Sequence, residues 1–497
     1  MKNKTTLINV VSTLLLQVVT FLSGFIVPKL ILSTFGSETN GLVLSLNQFL
    51  NYIALIEGGI NGVVIASLYG PLVKKDNEKI SSIIKTSNNF LRKIGAVLII
   101  YSVLLAVVFP FITRSSFSWP FIFTLTLIMS IKLFIQYCFS FTFRNLLSAD
   151  KRVYLVSLIQ TVLLLLEMGS AILVVKLFPS VHILKFASAL VFVLQPLLYG
   201  GFVKKHYDLD KKVPVDKKLM ANRWDGLAIN TAAFIHNNTD IAIISIFRSL
   251  QEASVYGVYA LVTSGLKTIS QSLWKALGPS IGKIQASGDK KELNEKFDTF
   301  EFITLFLVFF VFSVAGLLIT PFVGIYTSGV SDGDYFQPVF GILLVMAEAM
   351  YVIREPYVNL AYSANKFKDL RACAIMEAIL NIIISLSLVS SLGLIGIAIG
   401  TLVAMSYRTI YQVWYLKGHL INRPFKIFIK NLTIFTIPTI ILEMICARFF
   451  TDNSGTILGW LLHATVYCIL FGIVYILISL IFFRPQVKEL KNYLRRK

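Results

Sequence analysis

The sequence is poor in charge and lacks the patterns that mark soluble catalysts. Only 14% of its 497 residues are charged and 56% are hydrophobic, which is far more apolar than a soluble protein of any fold. Its four cysteines, Cys138, Cys373, Cys446 and Cys468, lie in or beside apolar segments without the spacing of metal ligands, so we interpret them as small hydrophobic residues. No Walker motif occurs, which argues against ATP-driven transport by this chain alone. The composition predicts a polytopic membrane protein.

Apolar runs of about 20 residues, the length that crosses a bilayer as a helix, recur along the whole chain. The first run is longer than a signal-peptide core and has no cleavage site after it, so we count it as a span. The predicted spans are 7–28, 41–69, 93–113, 119–142, 154–176, 181–203, 226–247, 255–281, 300–321, 336–357, 368–390, 393–416, 430–450 and 457–483. The pattern therefore predicts an all-α protein with fourteen transmembrane helices.

The basic residues indicate the orientation of these helices. The chain has 46 Lys and Arg residues and a formal net charge of +20. Most of them fall in the tails, the even-numbered loops and the adjoining ends of spans, so the positive-inside rule predicts that both termini are cytoplasmic. Because they form short clusters and no single basic face, we expect no nucleic acid partner. The outer loops are all short, which leaves no room for a catalytic domain outside the membrane.

The two longest cytoplasmic loops differ in pattern. Loop 72–94 places Ile80, Ile83, Ile84 and Leu91 at helical spacing among lysines, which predicts a helix lying in the membrane interface. The second loop, 204–220, reads as a connector between two halves.

Short matches at nearly one offset indicate that the chain is duplicated. SADK recurs as SANK, NEK occurs twice, and a glycine lies at the entrance of the second and of the eighth span. The matching positions are 148–151 with 363–366, 77–79 with 294–296, and Gly41 with Gly257.

The duplication predicts two six-helix lobes in a pseudo-twofold parallel repeat, plus two extra C-terminal helices. The predicted boundaries are 1–215 for the N-lobe and connector, 216–428 for the C-lobe, and 429–497 for helices 13 and 14 with the basic tail. In secondary transporters built from parallel repeats the substrate binds between the lobes near the membrane midplane.

Polar side chains occur deep inside several predicted spans. On the seventh span, Asn237 and Asp240 share one helical face and His236 is adjacent. Ionisable groups at such depth are functional candidates by default, although hydrogen bonding between helices is the alternative. The other deep ionisable residues are Glu57, Lys132, Glu167, Lys267, Glu348 and Glu377.

Three junctions resemble those of the polysaccharide flippases in the multidrug/oligosaccharidyl-lipid/polysaccharide exporter superfamily. IVPKLILSTFGSETNGL (26–42) is similar to the first-to-second helix junction, with Lys29 where arginine is common. NTDIAIISIF and VYGVYAL (238–261) are similar to the aspartate-bearing seventh helix and the start of the eighth. PFVGIYTSGVSDGDYFQPVFGILL resembles the ninth-to-tenth junction, and the fourteen-span plan extends the likeness over the whole chain.

The resemblance implies a V-shaped secondary transporter and no enzyme activity. Its substrate would be a polyprenyl-pyrophosphate-linked oligosaccharide, flipped to the outer leaflet of the bacterial cytoplasmic membrane for surface polysaccharide synthesis. Ion-coupled alternating access would use H⁺ or Na⁺, with no other cofactor. We expect a monomer whose partners are the lipid-linked oligosaccharide, membrane lipids and polysaccharide assembly proteins.

A cavity for such a substrate needs cations for the pyrophosphate. Lys267, at the repeat-equivalent position of Asn51, is the predicted central cation, and Lys132 is its counterpart in the first lobe. Pairing with Glu57 or Glu167 explains Lys132 equally well. We further assign Lys29, near the outer rim, to pyrophosphate binding.

The remaining candidates concern the coupling ion and the cavity wall. Asp240 and Glu57 are predicted to carry the coupling ion, because a carboxylate can change protonation or bind sodium. A structural ion pair of Asp240 with Lys267 is the alternative. Asn51, His236 and Asn237 are predicted to line the cavity.

Three rival functions remain at this stage. A multidrug or cation antiporter of the same superfamily typically has twelve spans, and a flippase for lipid-linked peptidoglycan precursors has fourteen but a richer set of lobe arginines. A membrane-embedded polysaccharide polymerase or glycosyltransferase would need acidic or arginine-rich outer loops, which are not found here.

Overall fold

The computed structural model describes residues 2–57, 60–113, 115–210, 212–216, 234, 238–449 and 455–495. Helices account for almost all of these residues, and no strand occurs within these ranges. The helices are Lys2–Asn51, Ala54–Glu57, Ile60–Lys74, Asn77–Ile112, Trp119–Ile135, the π-helix Gln136–Ser140, Phe141–Ala149, Val153–Leu177, Val181–His206, Asp240–Phe247, Leu250–Ser287, Lys290–Tyr326, Pro338–Ile353, Glu355–Ser363, Phe367–Leu392, Leu394–His419, Phe425–Phe449, Ile457–Phe482 and Arg484–Arg495. The all-α fold class is confirmed.

Ten of the described helices are long and apolar enough to cross a membrane, so the chain is a multi-pass membrane protein. The other predicted spans also fall on helix or outside the description. Span 41–69 begins on the long first helix, 255–281 lies within Leu250–Ser287, and 336–357 covers Pro338–Ile353 and the next turn. Most of span 226–247 lies outside the described residues.

The chain divides into two compact units. The first unit consists of residues 1–254 and 330–333, and the second of residues 255–329 and 334–497. The predicted lobe boundaries, 1–215, 216–428 and 429–497, stay predictions.

The first unit contains the predicted interface helix, but in another role. The Asp76 carboxylate caps the Asn77–Ile112 helix by accepting from the Lys79 amide, as expected of Asp at an N-cap. Ile80, Ile83 and Leu91 are buried and belong to the core of this unit. The helical prediction for loop 72–94 is right, whereas its placement in the membrane interface is wrong, because protein covers the apolar stripe.

A glycine breaks the long first helix between the first two predicted spans. Gly36 has φ +84°, a conformation that favours glycine. The next residue donates to Asp332 of the same unit, from the Ser37 amide and from Ser37 Oγ, both at 2.7 Å. A Cβ on Gly36 would lie 2.5 Å from Asp332 Oδ2. The break thus depends on the absence of a side chain.

The second predicted span, 41–69, is interrupted where a continuous helix was expected. The first helix ends at Asn51, a turn covers Tyr52 and Ile53, and helix resumes at Ala54–Glu57 and Ile60–Lys74. The Tyr52 hydroxyl donates to the Asn238 carbonyl at 2.8 Å, so a tertiary contact engages the turn directly. Hydropathy reported only that the segment is apolar and gave no sign of this contact.

The second unit contains a tightly packed helical hairpin. Gly393, with φ +57°, separates Phe367–Leu392 from Leu394–His419. A Cβ on Gly396 would lie 2.6 Å from the Leu388 carbonyl oxygen, and one on Gly400 would lie 2.3 Å from Ser385 Oγ. The two helices therefore pack backbone to backbone, as small residues permit in membranes.

The last two predicted spans pack on the Lys290–Tyr326 helix through aromatic residues. Phe435 stacks on Phe309 and meets Tyr475 edge to face. The Trp460 Nε1 donates to the Leu318 carbonyl at 3.1 Å. These two helices are integral parts of the second unit.

The duplicated sequence positions correspond to equivalent corners. SADK ends Phe141–Ala149 and precedes Val153–Leu177, and SANK ends Glu355–Ser363 and precedes Phe367–Leu392. Lys151 and Asn365, each the second residue after the end of its helix, both have positive φ, +60° and +57°, one residue out of step with the match of SADK to SANK. Each corner thus makes the same kind of turn between two helices.

Candidate functional site

The predicted central cation, Lys267, is half of an ion pair in the second unit. Its Nζ lies 3.1 Å from Glu348 Oε2, and the two side chains are 13% and 14% exposed. Lys267 belongs to Leu250–Ser287 and Glu348 to Pro338–Ile353. Each charge offsets part of the desolvation cost of the other.

A close helix contact sets the register of this pair. Gly341 lies against Tyr259, where a Cβ would be 2.7 Å from Tyr259 Cε1, and the Tyr259 ring meets Phe340 edge to face at 5.1 Å. Counting about 3.6 residues per turn, Lys267 and Glu348 each lie roughly two turns further along their helices. The glycine contact therefore brings the two charges level with each other.

Tyr351, one turn after Glu348, forms an aromatic platform for two cations. Lys267 Nζ lies 3.9 Å from the ring centroid and Arg354 Cζ lies 4.2 Å from it, within the range of cation–π attraction. Gln271 donates to the Tyr351 hydroxyl at 3.1 Å. The ring is thus held in place by the same helix that carries Lys267.

Arg354 continues the site into a buried group of three charges. Its Nη1 lies 2.5 Å from Glu377 Oε1, and Arg408 donates to the other carboxylate oxygen, Oε2. The three side chains are 4%, 1% and 11% exposed, respectively. A carboxylate with an arginine on each oxygen is strongly fixed, because charge-assisted hydrogen bonds engage both atoms.

The local sequence explains why a helix boundary falls at Arg354, between the Pro338–Ile353 helix and the Glu355–Ser363 helix. The Pro338–Ile353 helix ends at Arg354, and Pro356 lies in the first turn of the following helix, Glu355–Ser363. Proline is tolerated in a first turn but disrupts a continuing helix.

The contacts described so far join six side chains into one group: Lys267, Glu348, Tyr351, Arg354, Glu377 and Arg408. Glu355 follows Arg354 directly, and Asn359 donates to its carboxylate at 3.3 Å. With Glu355 included, three cations face three carboxylates. Such a set can bind an anion only by exchanging a carboxylate for it. Within the described ranges no group of His, Cys, Asp and Glu is placed to hold a metal ion.

A second buried cluster in this unit centres on Glu301. Arg423 donates to it through Nη1 at 2.7 Å and through Nη2, and Arg423 Nε also lies 2.7 Å from Asp298 Oδ1. Asn431 donates to Glu301 at 2.8 Å, and the Tyr357 hydroxyl donates as well. The cluster ties the segment before Phe425–Phe449 to the Lys290–Tyr326 helix.

In the first unit, Lys132 pairs with Glu167, one of the two partners that the sequence suggested. The Nζ–Oε1 distance is 2.9 Å, and the side chains are 32% and 15% exposed. Ser188 also donates to Glu167 Oε1, and Lys132 Nζ lies 3.8 Å from the centroid of the Phe192 ring. This lysine is the more accessible of the two predicted midplane cations.

Asp240 begins a helix in the first unit and is buried. A carboxylate in a first turn interacts favourably with the helix dipole. Nearby, Gln48 Nε2 donates to the carbonyl and side-chain oxygens of Asn238 at 2.8 and 2.7 Å. The polar stretch of span seven is therefore hydrogen-bonded to the first helix where it is described.

The other predicted residues are dispersed. Asn51 is the exposed last residue of the first helix, and Lys29 is half-buried one residue after Pro28 in the same helix. Glu57 ends the short Ala54–Glu57 helix, and its side chain lies outside the description. His236 and Asn237 lie outside the described residues.

Sequence reasoning missed Tyr351, Arg354 and Arg408 as members of the site. The count of basic residues by membrane side includes both arginines and gives no reason to single them out. The available signal was that each lies inside a predicted span, 336–357 or 393–416. Glu348 and Glu377 were recognised as deep carboxylates, but their partners depend on helix rotation.

No family model matches the chain, and no curated protein matches it. Solved structures do match. One is the lipid II flippase MurJ in an inward closed conformation, with a TM-score of 0.73 and 14% identity, covering 95% of this chain and 100% of that chain.

Two transporters of the multidrug resistance MATE family are also similar. An inward-facing member of the MOP superfamily has a TM-score of 0.62 and 14% identity, covering 80% of this chain and 95% of that chain. A Vibrio cholerae MATE transporter has a TM-score of 0.57 and 12% identity, covering 85% and 98%. At these identities the likeness establishes the fold alone, and the chain shares the fold of these transporters.

Proposed function

We propose that the chain is a secondary transporter that flips a polyprenyl-pyrophosphate-linked oligosaccharide across the bacterial cytoplasmic membrane for surface polysaccharide synthesis. The observation that carries this proposal is the fold match to a lipid II flippase over 95% of this chain, against 80% and 85% for the two MATE transporters. The name of that matched protein, lipid II flippase, implies a lipid-linked cargo. The six-plus-six-plus-two plan agrees with the same class.

In this proposal the cations receive the pyrophosphate and a carboxylate carries the coupling ion. Lys267 and Lys132 bind phosphate near the midplane, and Lys29 binds it near the rim. Asp240 and Glu57 bind H⁺ or Na⁺, while Asn51, His236 and Asn237 line the cavity. Both lysines have a carboxylate partner within 3.1 Å, so each ammonium is held in one position, which supports a role as a fixed cation in a binding site.

The test is the lipid-linked species that accumulates when the gene is deleted. We expect a polyprenyl-pyrophosphate oligosaccharide to accumulate in the inner leaflet, and the wild-type gene to clear it. Asp240→Asn and Lys267→Ala should fail to clear it at wild-type membrane abundance. Glu443→Gln, which changes another carboxylate of the second unit, is the matched control and should clear it. An unchanged lipid pool after deletion would contradict the proposal.

The fold is also consistent with a peptidoglycan-precursor flippase, and the match to MurJ specifically favours including that second candidate. A strain depleted of its lipid II flippase should therefore be complemented in parallel, together with a measurement of drug extrusion. Rescue of the depleted strain would assign the chain to lipid II, and drug extrusion alone would assign it to the antiporters.

Reporter fusions test the proposed topology. A fusion at Lys497 should report a cytoplasmic location, and a fusion at Gly333 should report an extracytoplasmic one.

A further inference from the structure

The geometry points to Glu348 as an internal anion that occupies Lys267 until the pyrophosphate of the substrate takes its place. This inference rests on the proposed function and names the exchange by which that function begins. Glu348 would be a positioning residue that acts through Lys267 and sets the affinity of the site.

The first argument is accessibility. The pair Lys267–Glu348 is 13% and 14% exposed, whereas Glu377, between its two arginines, is 1% exposed. The carboxylate of the first pair is therefore less completely covered by protein than Glu377. Arg408 is 11% exposed, but the Glu377 carboxylate between the two arginines is covered, so Arg354 and Arg408 keep their partner.

The second argument is the number of contacts. Glu377 receives arginine donors on both of its oxygens, and losing it would strand two buried cations. The ion pair of Lys267 involves one oxygen of Glu348, Oε2. A single-oxygen contact to an ammonium is the easier one to exchange, because lysine is a compact charge on a flexible stem.

The third argument is that Lys267 keeps its aromatic contact during the exchange. Its Nζ lies 3.9 Å from the centroid of Tyr351, and Gln271 holds the Tyr351 hydroxyl at 3.1 Å. The ring attracts the ammonium whichever anion is bound. The ammonium thus stays in position while a phosphate oxygen replaces a carboxylate oxygen.

The chemistry selects a pyrophosphate and no neutral ligand. A phosphate oxygen supplies Lys267 with the negative charge that the Glu348 carboxylate supplied before. Glu348 is released from the pair with its own charge, and the ammonium stays paired throughout the exchange. Arg354 Cζ also lies near the Tyr351 ring, 4.2 Å from its centroid, but Glu377 already pairs with that arginine. A sugar alcohol or neutral lipid would leave Lys267 without compensation and would not displace the carboxylate.

The experiment measures binding of farnesyl pyrophosphate, inorganic pyrophosphate and farnesol to the purified full-length protein in detergent. Glu348→Gln removes the competing charge and should tighten farnesyl pyrophosphate binding about tenfold or more, which a merely structural role would not do. Lys267→Met should weaken it, and the double variant should bind as weakly as Lys267→Met alone. Glu443→Gln is the matched control and should bind like wild type, and farnesol should bind every variant equally.

The two pyrophosphates distinguish the source of the ligand. Tightening for farnesyl pyrophosphate alone supports a lipid-linked pyrophosphate, and tightening for both supports recognition of the pyrophosphate itself. Unchanged or weaker binding of both in Glu348→Gln overturns the exchange. If Glu348→Gln does not fold, Glu348→Asp serves instead, because its shorter carboxylate should give an intermediate tightening. The absence of tightening there overturns the exchange too.

Failure of the exchange and failure of the proposed function give different results. Accumulation of a lipid-linked oligosaccharide in the deletion strain with no tightening in Glu348→Gln leaves the function and removes the exchange. Tightening in Glu348→Gln without accumulation of any lipid-linked species leaves the exchange and removes the function.

Discussion

In the first unit, the Lys132–Glu167 pair leaves 32% of the lysine side chain exposed, whereas the second unit holds Glu377 and Glu301 at 1% and 2% exposure with several donors each. Both kinds of pair lie among apolar helices, but only in the second kind does protein cover the carboxylate almost completely. Breaking a buried pair is strongly destabilising, and breaking an accessible one is not. The comparison indicates that buried ion pairs hold helices of the second unit together.

The helices of the first unit are held differently. Gly41 lies against the backbone of Leu250, where a Cβ would be 1.7 Å from the carbonyl oxygen. Asn40 Nδ2 donates to Ser254 Oγ at 2.7 Å, and Ser45 and Ser245 share a hydrogen bond at 2.5 Å. Close backbone approach and neutral hydrogen bonds thus join these helices, whereas the second unit has buried ionic clusters in addition to the close glycine packing of its hairpin.

The largest expected effect comes from Glu377→Gln. The change removes the carboxylate that the two buried arginines Arg354 and Arg408 share, and we expect a loss of about 3–5 kcal/mol in the free energy of unfolding. Thermal unfolding of the purified protein measures it, with Glu167→Gln of the first unit as the matched change. Equal losses in the two variants would abolish the contrast between the units.

Arg423→Met should have the second-largest effect, a loss of about 2–3 kcal/mol in the free energy of unfolding. Glu301 would lose its arginine, but Asn431 and Tyr357 would still donate to it, so the cost is smaller than for Glu377→Gln. Glu301→Gln should give a loss of similar size. Stability at the wild-type level in Arg423→Met would show that this cluster is dispensable.

Gly41→Ala tests the close packing of the first unit. A Cβ at this position must move the Leu250 backbone, and we expect a loss of about 1–3 kcal/mol. Gly70→Ala is the control, because nothing lies within 4 Å of its Cβ position and alanine favours a helix by about 1 kcal/mol. A stabilised Gly41→Ala protein would refute the tight helix contact.

Lys132→Met should have the smallest effect on stability, below about 1 kcal/mol, because an accessible pair contributes little. The same variant should nevertheless reduce clearance of the lipid-linked oligosaccharide if Lys132 binds phosphate as proposed. Unfolding and clearance are measured on the same variant. A large loss of stability would place Lys132 with the buried clusters instead.

Much of the fold was predictable because hydropathy depends on a helix's own residues. The spans of the second unit on Lys290–Tyr326, Leu394–His419 and Ile457–Phe482 fall where apolar runs predict them. The breaks within helices were harder to predict from the sequence. The turn at Tyr52 depends on Asn238 across the unit, and no local pattern reports such a contact.

The candidate site was likewise predictable only in part: the depth of its residues was, and their pairing was not. Depth along a helix follows from counting residues, so Lys132, Lys267, Glu348 and Glu377 were found as deep charges. Pairing depends on which face each helix turns to its neighbour, which the Gly341–Tyr259 contact fixes for Lys267 and Glu348. Arg408 was overlooked because a count of basic residues by membrane side does not ask whether a side chain is buried.

The group of Arg354, Glu377 and Arg408 also constrains how the chain enters the membrane during synthesis. Arg354 precedes Glu377 by 23 residues, and Arg408 follows it by 31, so the ribosome delivers the three charges on successive segments. A single charge at the centre of an inserting helix costs about 2.5–3.5 kcal/mol. Arg354 can avoid that cost only if its segment stays beside the translocon until Glu377 arrives, and Arg408 can avoid it only if Glu377 is still there when its own segment follows. The three segments are therefore expected to leave the translocon as a group.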